Sequence, residues 1–157
     1  ESGNGRGVIG TYMRSDGSNP EMLRRWGGGQ RKPNGDGDAA SFDFIHMDGQ
    51  DVFKRAVTAM GDAAEYILEQ TGYIGDDLDL LVPHQANMRI IQATAKRINL
   101  PMEKVYVNLE RYGNTSAATI PICLDELKRD GRFNPGELVM LVAFGAGLTW
   151  GSVLLRA

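Results

Sequence analysis

The chain has 157 residues, 42% of them hydrophobic, enough for one domain with a sizeable core. A formal net charge of -3 argues against general nucleic-acid binding, which needs a basic surface, and a single cysteine, Cys123, excludes an internal disulfide. No stretch approaches the roughly 18 apolar residues of a membrane span, and the start ESGNGRG lacks the basic end and apolar centre of a signal peptide, so a cytoplasmic protein without membrane contact is expected.

The first residue is glutamate, as expected of a processed chain or of a piece of something longer. Residues 1–50 are glycine-rich and irregular apart from GVIGTYM (7–13). A long loop is expected over 20–45, where RWGGGQRKPNGDGDAASF concentrates glycine, proline and polar residues. From Asp51 onward Val52, Phe53, Ala56, Val57, Met60, Ala63, Ala64, Ile67 and Leu68 recur at helical spacing, with Lys54, Asp62, Glu65 and Glu69 on the other face. Gly72 closes this helix. Next come a strand in LDLLVP (78–83), a helix from Ala86 to Ile98, a strand in KVYVNL (104–109), and a helix from about Ser116 to Arg129. Two further strands follow, in ELVMLVAF (137–144) and TWGSVLLRA (149–157). Strands alternating with helices predict one domain built on a mostly parallel sheet with helical layers.

A parallel strand delivers the residues after it to the carboxyl edge of the sheet, where open α/β folds hold ligands. His84 follows the first of these strands, Asn114 the second and the turn FGAG (144–147) the third. His84 to Asn114 and Asn114 to Phe144 are each 30 residues, about one βαβ unit. The chemistry on offer is hydrogen-bond donation, from an imidazole, a carboxamide and backbone N–H groups in a glycine turn. Such donors suit a developing oxyanion or enolate. On spacing alone, the plainer reading comes first: a histidine that caps the next helix and an asparagine that makes a turn.

LVPHQANMRIIQATAKR (81–97), RYGNTSAATIPICLDELKRDGR (111–132) and LVAFGAGLTWGSVLLRA (141–157) closely resemble the carboxyl-terminal half of the β-ketoacyl-acyl-carrier-protein synthase III family. GTYMRSDGS (10–18) and HMDGQDVFKRAV (46–57) fit in the same order, so the resemblance spans almost all of 1–157. It implies an α/β, thiolase-like fold: the second half of an αβαβα sandwich, with a mixed five-stranded sheet covered by helices and an antiparallel final strand. It also implies decarboxylative condensation of an acyl-CoA primer with malonyl-acyl-carrier protein to initiate fatty acid synthesis. The nucleophilic cysteine would come from an amino-terminal half, and the complete enzyme would be a homodimer needing no cofactor beyond its coenzyme A thioester substrate.

Within that implied chemistry His84 and Asn114 hydrogen-bond the malonyl thioester carbonyl, with His84 kept neutral by its place at a helix start. Ala146 contributes a backbone N–H to an oxyanion hole, at a position where many family members carry glycine. Gly49, Phe53, Ala86, Asn87 and Arg89 are assigned to the pantetheine and coenzyme A channel; Gln50, where the family commonly has asparagine, is left out. Lys54, Arg89, Lys96 and Arg97 would form a basic patch for the acidic carrier protein, although without the resemblance they read as a solvated face. Cys123, on an apolar helix face with Ile120, Leu124 and Leu127, reads as core.

Other motifs fall short. GNGRGV and GAGLTW miss the third glycine of a dinucleotide fingerprint, NGDGDAAS lacks a calcium loop's twelfth-position acid, and His46 beside Asp48 and Asp51 makes no metal cluster. The alternatives are a starter-unit acyltransferase of polyketide or secondary metabolism, and a catalytically silent module that binds acyl carrier or coenzyme A. The latter is disfavoured by the apolar surface it would leave open.

Overall fold

A computed structural model of the chain describes residues 5–25 and 44–157. Most of the expected 20–45 loop, with the NGDGDAAS motif, lies outside these residues. Its two ends are strands rather than coil, because β2 (Leu23–Arg25) pairs antiparallel with β3 (Ile45–Met47), placing Arg24 opposite His46. His46, weighed against a metal role, therefore belongs to a two-stranded ribbon.

The main sheet has the order β1-β6-β5-β4, formed by β1 (Gly7–Ser15), β4 (Leu80–Pro83), β5 (Leu138–Gly145) and β6 (Thr149–Arg156). Only β4 and β5 are parallel, so the mostly parallel sheet expected from element order is instead mixed. The cause is local: β5 and β6 are joined by the three residues 146–148, and a connection that short permits only an antiparallel pair.

The strand expected at 104–109 is reduced to a single parallel bridge between Leu81 and Val105. Pro83 explains why. The Tyr106 N–H donates to the Leu81 carbonyl, and the next rung would run from the N–H of residue 83 to the Tyr106 carbonyl. Proline has no N–H, so the ladder stops there, and the Tyr106 carbonyl accepts from Gln85 Nε2 instead at 3.1 Å. The fifth strand position of the expected sheet is thus occupied by this one bridge.

Helix α1 (Gly49–Thr71) begins under the Asp48 carboxylate, which accepts from the Asp51 N–H, and ends on Gly72 at φ 75°, as its sequence predicts. It packs with α2 (Met88–Arg97) on one face of the sheet, burying Met60, Ala63, Ala64, Ile67 and Ile91 against Leu81, Met140, Val142 and Leu154. The other face receives α4 (Thr119–Arg129), where Cys123 and Leu127 meet Leu80, Val82 and Val139. Period-two alternation along β5 sorts these residues between the layers. Helix α2 starts two residues later than expected, because Asn87 is its cap and accepts from the Arg89 N–H at 2.9 Å. The helix expected from Ser116 opens with a tight 3₁₀ turn at Ser116–Ala118 before α4.

Candidate functional site

His84 is the first residue beyond β4, at the carboxyl ends of the parallel pair. Its N–H donates to the Val142 carbonyl of β5 at 2.8 Å, which holds it in line with the sheet. The side chain is buried, 9% exposed, and its ring hydrogen-bonds to none of the described residues. Burial disfavours the imidazolium and pushes the pKa below the usual 6.5, so the ring is neutral at physiological pH. The neutrality expected of a helix start thus has desolvation as its cause.

Gln85, 1% exposed, ties this edge together. Its Nε2 donates to the carbonyls of Pro83 (2.9 Å) and Tyr106, its Oε1 accepts from the Asn108 N–H (3.0 Å), and its own N–H donates to Thr119 Oγ1 (2.9 Å). Asn108 and Thr119 are the two ends of the segment that carries Asn114. Both ends are thereby fastened to the neighbour of His84. Between them run the short helix α3 (Leu109–Tyr112), Gly113 and Asn114. Asn114 is exposed, and its Oδ1 accepts from the Ser116 N–H at 3.0 Å, leaving both Nδ2 protons without an acceptor among the described residues.

Ala146 occupies the turn after β5, at the same edge as His84. The left-handed positions of that turn are Gly147 (φ 75°) and Leu148 (φ 44°), so alanine at 146 carries no backbone strain of that kind. Leu148 is held there by a buried side chain and by its carbonyl, which accepts from the Asp16 N–H at 3.0 Å.

Gly49, Gln50, Phe53, Lys54, Asn87 and Arg89 line one open depression where the amino ends of α1 and α2 meet. The Arg89 guanidinium lies 4.6 Å over the Phe53 ring, and Lys54 reaches Asp51 at 3.4 Å across an exposed surface. Ala86 is half-buried behind this wall, packed on the core. Gln50, not expected in the channel, belongs to the lining.

The four expected patch cations do not act alike. Arg97 turns toward α1, bonding Glu65 at 2.8 and 3.0 Å and Asp62 at 2.9 Å, and these carboxylates raise its pKa further. Its charge is compensated, so it adds little to a basic face. Gly61 makes room for this arrangement, since a Cβ there would come within 3.2 Å of Arg97 Cγ. Lys96 is exposed.

Cys123 is fully buried on the sheet-facing side of α4, and its thiol, pushed up to about 11 chiefly by that burial, donates to Asn108 Oδ1 at 3.4 Å. It is a core residue and no nucleophile at physiological pH. Among the described residues no group of three His, Cys, Asp or Glu could hold a metal ion, and no helix is long and apolar enough to cross a membrane.

A family model described as 3-oxoacyl-[acyl-carrier-protein (ACP)] synthase III C terminal matches residues 68–157. The chain belongs to the 3-oxoacyl-[acyl-carrier-protein] synthase III family. It is 48% identical to the β-ketoacyl-[acyl-carrier-protein] synthase III of Xanthomonas oryzae pv. oryzae, over 96% of this chain and 46% of that protein. The corresponding protein of Caldanaerobacter subterraneus is 45% identical over 97% of this chain, again 46% of its own length. The crystal structure of the Aquifex aeolicus synthase III superposes with a TM-score of 0.87 and 40% identity, covering 100% of this chain and 46% of that one. The expected thiolase-like fold holds, and this synthase III chain spans about half the length of the relatives it matches.

The family resemblance pointed to His84 and Asn114 but to none of the residues that support them. Gln85 stands inside PHQAN, and a second polar residue, next to His84 after a buried run and a proline, was the available signal. Asn108 and Glu126 gave none, since their partnership spans 18 residues and exists only in the folded chain.

Proposed function

We propose that this chain is the carboxyl-terminal half of a condensing enzyme that joins an acyl-CoA primer to malonyl-acyl-carrier protein and so initiates fatty acid synthesis. An amino-terminal half supplies the cysteine that carries the acyl group, Cys123 being unsuited. His84 and Asn114 donate to the malonyl thioester oxygen. As the bond between C2 and the carboxylate breaks, carbon dioxide leaves and its electron pair passes into an enolate held by those two donors. C2 then attacks the acyl thioester, the resulting oxyanion accepts from the Ala146 N–H, and the cysteine thiolate leaves.

The observation that carries this reading is the state of His84: buried, neutral and unengaged at the sheet edge, in a chain of this family. Asn114 supports it, because its bonded Oδ1 leaves the amide protons for a ligand. The depression fits a pantetheine phosphate, with Arg89, Lys54 and two helix amino ends offering positive charge beside the Phe53 ring. Arg89, Lys54 and Lys96 are the cations left to meet an acidic carrier protein, Arg97 being neutralised. The edge strand β1 exposes Val8 (64%) and Met13 (72%), which favours burial against an amino-terminal half over a silent stand-alone module. A cytoplasmic homodimer of the complete polypeptide belongs to the same proposal.

The test is release of labelled carbon dioxide from malonyl-acyl-carrier protein by the complete enzyme. His84→Ala and Asn114→Ala should each lower it by about 10²-fold or more while acylation of the cysteine proceeds normally. Undiminished release in both variants removes these residues from the role.

A further inference from the structure

The segment 106–114 carries a concentration of hydrogen bonds that the condensation chemistry does not use, all converging on one carboxylate. Glu126, on α4, accepts from Tyr106 Oη at 3.0 Å, Asn108 Nδ2 at 2.7 Å, Arg111 Nη2 at 3.1 Å and Tyr112 Oη at 2.8 Å. Arg111 Nη1 also reaches its second oxygen at 2.9 Å. The Glu126 side chain is only 14% exposed, and Asn108 is 2% exposed. Asn108 in turn gives its N–H to Gln85 Oε1, beside His84. A single run of hydrogen bonds therefore leads from the residue after His84, through Asn108, to the carboxylate that grips α3 two residues before Asn114.

We propose that Gln85, Asn108 and Glu126 are positioning residues whose joined hydrogen bonds set the place of Asn114 relative to His84. The physical need is evident from the backbone. Asn114 lies on an exposed segment after Gly113, whose φ of 65° and ψ of -156° give no regular structure, so nothing in the sheet fixes it. Glu126 replaces the missing ladder by clamping four side chains, those of Tyr106, Asn108, Arg111 and Tyr112, from a rigid helix. Displacing a reacting group by about 1 Å can cost on the order of 10²-fold in rate, which is the scale on which such a clamp acts.

This inference rests on the role proposed for Asn114, and a double-mutant cycle in the complete enzyme separates the two. Glu126→Gln, isosteric but uncharged, should lower malonyl decarboxylation about 10- to 100-fold. The KM for malonyl-acyl-carrier protein and the rate of cysteine acylation should each stay within about twofold. Combined with Asn114→Ala it should cost no more than Asn114→Ala alone, because a residue acting through Asn114 has nothing left to position. Losses that multiply, or an undiminished Glu126→Gln enzyme, overturn the proposal. Should Glu126→Gln fail to fold, Tyr112→Phe removes one exposed bond to the same carboxylate and should give a smaller, equally non-additive loss. A readout free of the catalytic reading is amide hydrogen exchange at residues 113–116, which Glu126→Gln should speed at least about tenfold while β4 and β5 stay protected. Unchanged exchange there refutes the tie. If exchange rises but Asn114→Ala leaves decarboxylation intact, the clamp exists without the purpose given to it, which equally overturns the proposal.

Discussion

Replacing Gln85 by methionine should cost far more stability than any exposed glutamine in the molecule. The substitution keeps the length and shape of the side chain and removes its amide. Three buried groups then lose their partner: the Pro83 carbonyl, the Tyr106 carbonyl and the Asn108 N–H. The bond from the Gln85 N–H to Thr119 is main-chain and survives. At about 1–3 kcal/mol for each buried group left unpaired, the loss is at least about 3 kcal/mol. Methionine offers no compensation, since the pocket was built for a planar donor and acceptor. The assay is urea denaturation of the complete enzyme, with the midpoint shift multiplied by the slope, and Gln92→Met on the exposed face of α2 as control, expected to change stability by less than about 0.5 kcal/mol. A Gln85→Met loss below about 1 kcal/mol would show that water or a local shift satisfies those groups. Gln85 would then not be what satisfies the groups left by the missing rung.

Burial lowers the His84 pKa, so an NMR titration of its ring should give a midpoint below the ordinary 6.5; a midpoint at or above that value contradicts the buried, neutral ring. The linked stability has a definite sign. Unfolded chain takes up the proton first, so this contribution is complete above about pH 6.5 and is lost as the pH falls through the lower folded value. Cys123, with its thiol pushed up to about 11, should be alkylated by iodoacetamide at pH 8 at least about 100-fold more slowly in native than in urea-unfolded protein. Comparable rates would contradict its place in the core.

Elements whose pattern is set by burial were legible before any coordinates. The α1 stripe, its Gly72 terminus and the alternation in β5 each follow from one face meeting a core, and periodicity records that directly. The failures share a different cause. KVYVNL has strand composition, yet the missing N–H of Pro83, more than twenty residues earlier, ends its ladder. Arg97 stands eight residues after Arg89, on the same broad helix face, yet Glu65 and Asp62 on a neighbouring helix claim it. In both cases the deciding group lies elsewhere in the chain, and single-sequence patterns carry no information on such pairings. The site divides the same way. His84, Asn114 and the 146 turn were reached through regular spacing and family motifs, whereas Gln85, Asn108 and Glu126 matter only through partners brought in by the fold.

In the proposed reaction one thioester oxygen is shared by two donors. A crystal structure of the complete enzyme with a malonyl-thioester analogue that cannot lose carbon dioxide tests it most directly. The analogue's thioester oxygen is predicted to lie about 2.7–3.2 Å from both a ring nitrogen of His84 and Nδ2 of Asn114. An analogue bound with that oxygen beyond reach of either group, in a catalytically competent crystal, would contradict the account.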